Sequence, residues 1–381
     1  MKIIHFCLSC FYIDGYSYQE NELVRQNVID GHDVLVVAST ETYDVNRELS
    51  YVAPSEYVGT DGARVIRLPY RGFLPQGIMR KLRLHPRVFD ILERERPDVI
   101  LFHGLCGGEL LSVKRYKARY PGVKVYADSH EDFNNSARSF PSKYLLHGIY
   151  YRSVLRMTLD CIERVLCISM ETISFVRDFY GVPERMIEFF PLGGFVYEDS
   201  AYQRVRAEGR TEYGVGESQI LFVQSGKMDA TKKVLESLRA FSKISNPDIR
   251  FVLAGHLHDD VATEAAEIIS KDDRIRFVGW KSADDLRALL CAADVYVQPG
   301  TQSATMQMSL CARCAVILDD VPSHEPYIDG NGWLIGKECS LEDALMAASL
   351  DFDRIRAMSL QSMSLAHRLL DYRMLAARLY Q

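Results

Sequence analysis

The chain is 381 residues long, 48% hydrophobic and 25% charged, with a formal net charge of −6. That length suits about two to three ordinary domains, and the composition is that of a soluble globular protein. The acidic balance argues against a general nucleic-acid-binding surface, and no run of about 18 apolar residues is present to span a bilayer.

The opening MKIIHFCLSC carries one charge and soon meets Asp14 and Gly15, which reads as a first strand and not as a secretion signal. Apolar strand-like runs follow at 33–39 (DVLVVAS), 64–68 (RVIRL), 98–103 (DVILFH), 124–128 (KVYAD) and 164–169 (RVLCIS). Helical stretches lie between most of them, such as 17–31, which a glycine ends. The register then repeats at 219–225, 249–255, 274–279, 294–300 and 315–320. Continuous apolar strands alternating with helices predict parallel sheets covered on both faces. The pattern predicts an α/β protein of two doubly wound, Rossmann-like domains, 1–195 and 196–361, with the helical tail at about 362–381 packing back on the first. A cleft at the carboxyl ends of the strands is the expected ligand site.

Candidate chemistry gathers at strand ends. Gly15, after the first strand, lets backbone approach a ligand beside a helix N-terminus. His103 ends the fourth strand, before Gly104, Gly107 and Gly108. Asp128, His130, Glu131 and Asp132 crowd the end of the fifth, a set suited to acid–base work. In SGKMDATKKVLESLRAF, Gly226, Lys227 and Lys232 stand at the entry to an amphipathic helix. Two lysines against the positive end of a helix dipole ask for a negative ligand. Gly279, Trp280 and Lys281 form a loop able to pair with a base edge and stack a ring. Thr301, Ser303 and Thr305 make a hydroxyl-rich loop opening a further helix, suited to phosphate oxygens.

The nine cysteines are an odd count spread along the chain, as in reduced thiols of a cytosolic protein. Cys7 with Cys10 and Cys311 with Cys314 have Cys-x-x-Cys spacing but lack a zinc-ribbon turn, so they read as buried thiols. No metal site is expected. The stretch at 68–87, LPYRGFLPQGIMRKLRLHPR, mixes basic and apolar residues without acid. It suits either a peripheral contact with the anionic inner face of a membrane or an acceptor-binding loop.

The ordered series of motifs resembles the GT-B retaining glycosyltransferases of family 4. DGYSYQENELVRQNVIDGHDVLVVAS is similar to the family's glycine loop, helix and Gly-His-x-Val strand, and PDVILFHG to the strand ending in its cleft histidine. YGVPERMIEFFPLGG resembles the approach to the interdomain linker. SGKMDATKKVLESLRAF, RIRFVGWKSADDLRALLCAADVYVQPG and EPYIDGNGWLIG follow its C-terminal pattern. The resemblance implies transfer of a sugar, with retention, from a UDP- or GDP-sugar to an acceptor hydroxyl on a glycan or lipid-linked acceptor in polysaccharide assembly. It implies Lys232 and Lys227, with Gly226 and Gly15, on the donor diphosphate, and Gly279, Trp280 and Lys281 on the base. His103 or His130, with Asp128, falls near the donor sugar and acceptor. Lys227 stands where the family has arginine. The two family glutamates fall on Met308 and on the region Gly300 to Ser303, neither acidic, with Gln307 a candidate substitute; Glu325 survives. Those losses leave two alternatives, a non-catalytic binding protein and a sugar-nucleotide epimerase.

Overall fold

The computed structural model describes residues 1–44, 48–300 and 302–380. The chain divides into two compact units, Met1–Pro191 joined by the chain end from Leu375, and Leu192–Met374.

The first unit is built on eight strands in the order β10-β9-β8-β7-β1-β2-β6-β5, parallel except for β5 against β6. They are β1 (Lys2–Cys7), β2 (Asp33–Ser39), β5 (Ser55–Val58), β6 (Arg64–Leu68), β7 (Val99–Phe102), β8 (Lys124–Ser129), β9 (Arg164–Cys167) and β10 (Ile187–Phe189). The short hairpin of β3 (Glu41–Tyr43) and β4 (Leu49–Tyr51) stands apart from this sheet. Both faces of the sheet are covered, which is why its central strands are largely apolar, with His5 of β1 a buried polar exception. Ile4, Phe6, Leu35, Val37 and Phe102 pack into one core, and Cys7, Val34, Val36 and Ala38 into another with Val24 of the helix Gln19–Ile29.

The second unit holds six parallel strands in the order β13-β12-β11-β14-β15-β16. These are β11 (Ile220–Met228), β12 (Ile249–Leu257), β13 (Ile275–Phe277), β14 (Val295–Gln298), β15 (Ala315–Asp319) and β16 (Gly332–Ile335). The order reverses between β11 and β14, the switch point at which open α/β sheets bind ligands outside their carboxyl ends. Helix Val234–Ser242 buries Val234, Leu238 and Phe241 against Phe222 and Phe251, the stripe its spacing predicts. It begins two residues beyond Lys232, so that lysine belongs to the preceding turn.

The observed division differs from the sequence boundaries at the chain end. Helix Phe352–Leu369 packs Ile355 and Met358 into the core of the second unit, and Ser362 donates to the Cys314 carbonyl at 2.6 Å. Only the last residues return to the first unit, where Leu375 and Leu379 are buried, Arg378 pairs with Glu188 and Tyr380 with Asp30. Among the described residues, no helix is long and apolar enough to cross a membrane.

Candidate functional site

In the first unit the strand register assembles a chain of polar side chains. Phe102 pairs with Ala127, so the next residues, His103 and Asp128, emerge side by side. His103 Nδ1 lies 2.5 Å from Asp128 Oδ2, and Gly104 N donates to Asp128 Oδ1 at 2.7 Å. On the other side, His103 Nε2 meets His5 Nδ1 at 3.0 Å, and His5 Nε2 meets Asn27 Oδ1 at 2.9 Å. His5, His103 and Asn27 are fully buried. With His103 protonated, both its N–H groups donate, to Asp128 and to His5, and His5 in turn donates to Asn27. Burial lowers the His103 pKa, but the Asp128 carboxylate outweighs it and raises the group to about 10. Asp128 is itself held far below the ordinary carboxylate range by His103 and His130, against its burial. Burial and the neighbouring His103 charge push His5 down to about 3. One imidazolium–carboxylate pair with a neutral second imidazole is the consistent assignment.

His130 reaches solvent from this cluster. Its side chain is 33% exposed, Nε2 stands 3.9 Å from Asp128 Oδ2, and Asp128 raises it to about 9 against the effect of burial. His103 therefore holds Asp128, and His130 is the histidine a ligand can touch. Glu131 is engaged by the Ser129 hydroxyl and the His130 amide. Asp132 caps the turn that follows, accepting from Asn134 N and Asn135 N at 2.7 and 2.8 Å. His5 and Asn27 are part of this cluster although no motif marks them. The one available signal is a histidine in the middle of an apolar strand, KIIHFC, where a partner is required. Glu20, in the first turn of the adjoining helix, is also buried and makes no hydrogen bond or ion pair among the described residues. Its charge acts on both His103 and His130. Gly15 sits in the exposed turn closed by Tyr16 N donating to Ile13 O, at φ 77°, a conformation that alone accounts for a glycine.

In the second unit, Gly226, Lys227 and Lys232 lie at and just beyond the carboxyl end of β11, beside the switch point. Asp229 shapes the turn by accepting from Thr231 N and Lys232 N at 3.0 and 3.2 Å. Gly300, at the end of β14, packs flat on this turn: a Cβ there would stand 2.6 Å from the Thr231 carbonyl oxygen, and its φ is 140°. Lys227 is exposed and makes no hydrogen bond or ion pair among the described residues. Lys232 is half-buried, and burial lowers its pKa while Asp229 pulls the other way. A partly dehydrated ammonium beside a glycine-lined turn gains from an incoming anion.

The other predicted residues of this unit divide. Ser303 caps helix Ala304–Cys311, accepting from Met306 N at 3.1 Å and donating to Gln298 Oε1 at 3.1 Å. Thr305 is half-buried in the first turn, and Thr301 lies outside the described residues. Glu325 is exposed in the loop after β15, without a hydrogen bond or ion pair among the described residues. Gly279 takes φ 68° after β13 and accepts from Gly255 N at 2.8 Å, with the Trp280 ring 53% exposed beside it. Lys281 turns instead onto Tyr213, 5.6 Å from its ring centre, and stands 3.8 Å from Glu212. Gln307 is fully buried, its Oε1 accepting from Gly193 N at 3.2 Å. That orientation ties the helix to Gly193 and gives Gln307 no open face for a ribose. Among the described residues, no group of three or more His, Cys, Asp or Glu side chains is placed to hold a metal ion.

Comparison with known proteins agrees with this layout. The sequence model of Glycosyltransferase Family 4 matches residues 21–193, and that of Glycosyl transferases group 1 matches residues 217–351. No curated protein sequence gives a significant match. Among solved structures, a glycosyltransferase from Rickettsia africae ESF-5 superposes with a TM-score of 0.65 at 14% identity, covering 99% of this chain and 96% of its own. Anabaena Alr3699/HepE in complex with UDP-glucose gives 0.60 at 14% identity, covering 100% and 98%. Sucrose-phosphate synthase from Thermosynechococcus elongatus gives 0.63 at 15% identity, covering 99% and 96%. A family match in each unit, on a fold shared over the whole length, decides the relationship: the chain belongs to the GT-B glycosyltransferases of the family 4 type.

Proposed function

We propose that the protein moves a sugar, with retention of anomeric configuration, from a UDP-sugar to a hydroxyl of a glycan or lipid-linked acceptor during polysaccharide assembly. The observation that carries this reading is the end of β11 and the turn after it, where Gly226 is followed by exposed Lys227, without a hydrogen bond or ion pair among the described residues, and by partly dehydrated Lys232, whose turn abuts Gly300 beside the switch point. Charge develops on the leaving diphosphate during transfer, and two cations at this strand end stabilise it more than they stabilise the bound donor. In this reading Glu325, Ser303 and Thr305 contact the ribose or donor sugar and the exposed Trp280 stacks the base. His130 meets the sugar or acceptor, with Asp128 and His103 fixing its charge and orientation. UDP is favoured over GDP by the HepE complex with UDP-glucose, and turnover is expected to persist in chelator because the lysines carry the diphosphate charge. Exposed Phe73, Leu74 and Ile78 in the basic stretch at 68–87 support peripheral contact with an anionic, cytoplasmic membrane face.

The test is a thermal-shift titration of UDP, GDP and ADP on the wild type and Lys232→Ala. A ligand at 100 times its dissociation constant adds about 2.7 kcal/mol to stability. UDP is expected to stabilise the wild type and to lose most of that effect in the variant. A second reading, a binding protein without turnover, is favoured by Met308 at the family acid position and the buried Gln307. Absence of stabilisation by any nucleotide at millimolar concentration would replace the first reading with the second.

A further inference from the structure

The first unit contains a cavity of about 610 Å³ with His130 and Glu131 on its wall, at the carboxyl ends of its strands. Three cations reach it from one short segment: Arg80 and Lys81 of helix Gln76–Leu82, and Arg83 at its end. Lys81 makes no side-chain hydrogen bond or ion pair among the described residues. Arg80 donates to the Tyr51 hydroxyl and, at 3.4 Å, to the Gln76 carbonyl. Arg83 is loosely held: its side chain is 27% exposed, it stands 3.9 Å from Glu41, its one ion pair among the described residues, and it neighbours the Tyr151 hydroxyl. A guanidinium has five donors in a planar fork, and a distant carboxylate with one phenol leaves others of them for a ligand.

Two carboxylates share the cavity. Glu131 is already engaged by Ser129 and the His130 amide, and Glu41 stands only at the loose distance from Arg83. The cations therefore exceed the acids, and His130 adds to them because Asp128 favours its charged form.

We infer that this cavity is the acceptor subsite and that it takes an acceptor bearing an oxyanion, a phosphate ester or a carboxylate, held by the Arg83 fork with Lys81 and Arg80 beside it. The inference rests on the proposed reading in which His130, on the wall of this cavity, meets the sugar or acceptor. It adds a chemical class: an acidic sugar or phosphorylated acceptor in preference to a neutral one. Bidentate guanidinium–oxyanion pairs are the strong, geometrically specific kind of charge-assisted hydrogen bond, and a neutral hydroxyl gains far less from the same donors.

Isothermal titration of the full-length protein tests this, with glucose 6-phosphate, glucuronate and glucose as probes, each with and without saturating UDP. The two anionic probes are expected to bind about tenfold or more tighter than glucose. Arg83→Gln removes that preference, and Lys81→Ala, at an exposed position, reduces it several-fold. Equal binding of glucose and the anions, or a preference that neither variant changes, overturns the inference. UDP binding without anion preference overturns it alone and leaves the donor reading standing; anion preference without UDP binding does the reverse. Phosphatidylglycerol vesicles set against phosphatidylcholine vesicles locate the oxyanion: Arg83-dependent binding to the former places it on a lipid-borne acceptor, and no such binding places it on a soluble one.

Discussion

Asp128 Oδ2 lies 2.5 Å from His103 Nδ1, and both residues are almost wholly shielded from solvent at the ends of neighbouring strands. Each has its charge because of the other. The carboxylate raises His103 from 6.5 to about 10, so its contribution to stability is complete below about pH 6.5 and lost as pH rises through about 10. Asp128 is shifted down, so its contribution is present above about pH 4 and lost on acidification. Melting temperature against pH is therefore expected to fall between about pH 7 and 10 in the wild type. Asp128→Asn, which leaves His103 without its counter-charge, is expected to cost about 3–5 kcal/mol and to flatten that alkaline slope. An unchanged slope in the variant would refute the ion-pair assignment.

Glu325 gives the opposite profile. It is exposed and makes no hydrogen bond or ion pair among the described residues, so Glu325→Gln should change stability by no more than about 0.5 kcal/mol. If it holds the donor, transfer should drop by about tenfold or more, since a hydrogen bond to a charged group contributes about 1.5–3 kcal/mol. Steady-state kinetics with UDP-glucose, beside a melting curve, separates the two effects.

Gly300 is a backbone prediction. A Cβ at this position would stand 2.6 Å from the Thr231 carbonyl oxygen and 3.5 Å from the Lys232 Cα, at a φ side chains rarely adopt. Gly300→Ala is expected to cost about 1–3 kcal/mol and, by pushing the lysine turn away, to weaken nucleotide binding. Denaturant melts and UDP titration on one preparation check both; full stability with full UDP affinity would show that this packing is unimportant.

Removal of the chain end from Leu375 tests how the units are divided. It takes buried Leu375 and Leu379 from the first unit, together with the Arg378 pairing to Glu188. Loss of two buried leucines is expected to destabilise that unit by more than about 3 kcal/mol. UDP binding by the second unit should survive at temperatures below the new transition, as calorimetry with and without UDP can show.

Much of this was legible in the chain because it is local. The apolar runs at 33–39, preceded by a helix, and 249–255, followed by one, require parallel strands with both faces covered. Parallel topology by itself then carries strand-end loops such as that of Lys232 to one edge of a sheet. Pairings between distant segments were not legible. His5 reads as one polar residue in an apolar strand until β1 lies beside β7 and meets His103, 98 positions away. Gln307 reads as a ribose ligand until helix Ala304–Cys311 turns it onto Gly193, and Arg83 as one more basic residue until the fold sets it on the cavity wall with His130. Sequence sets which groups a strand or turn presents, because periodicity and turn chemistry act over a few residues. Which buried polar group finds a partner, and which is left for a ligand, is set by register and packing between segments far apart in the chain, and only the tertiary structure decides it.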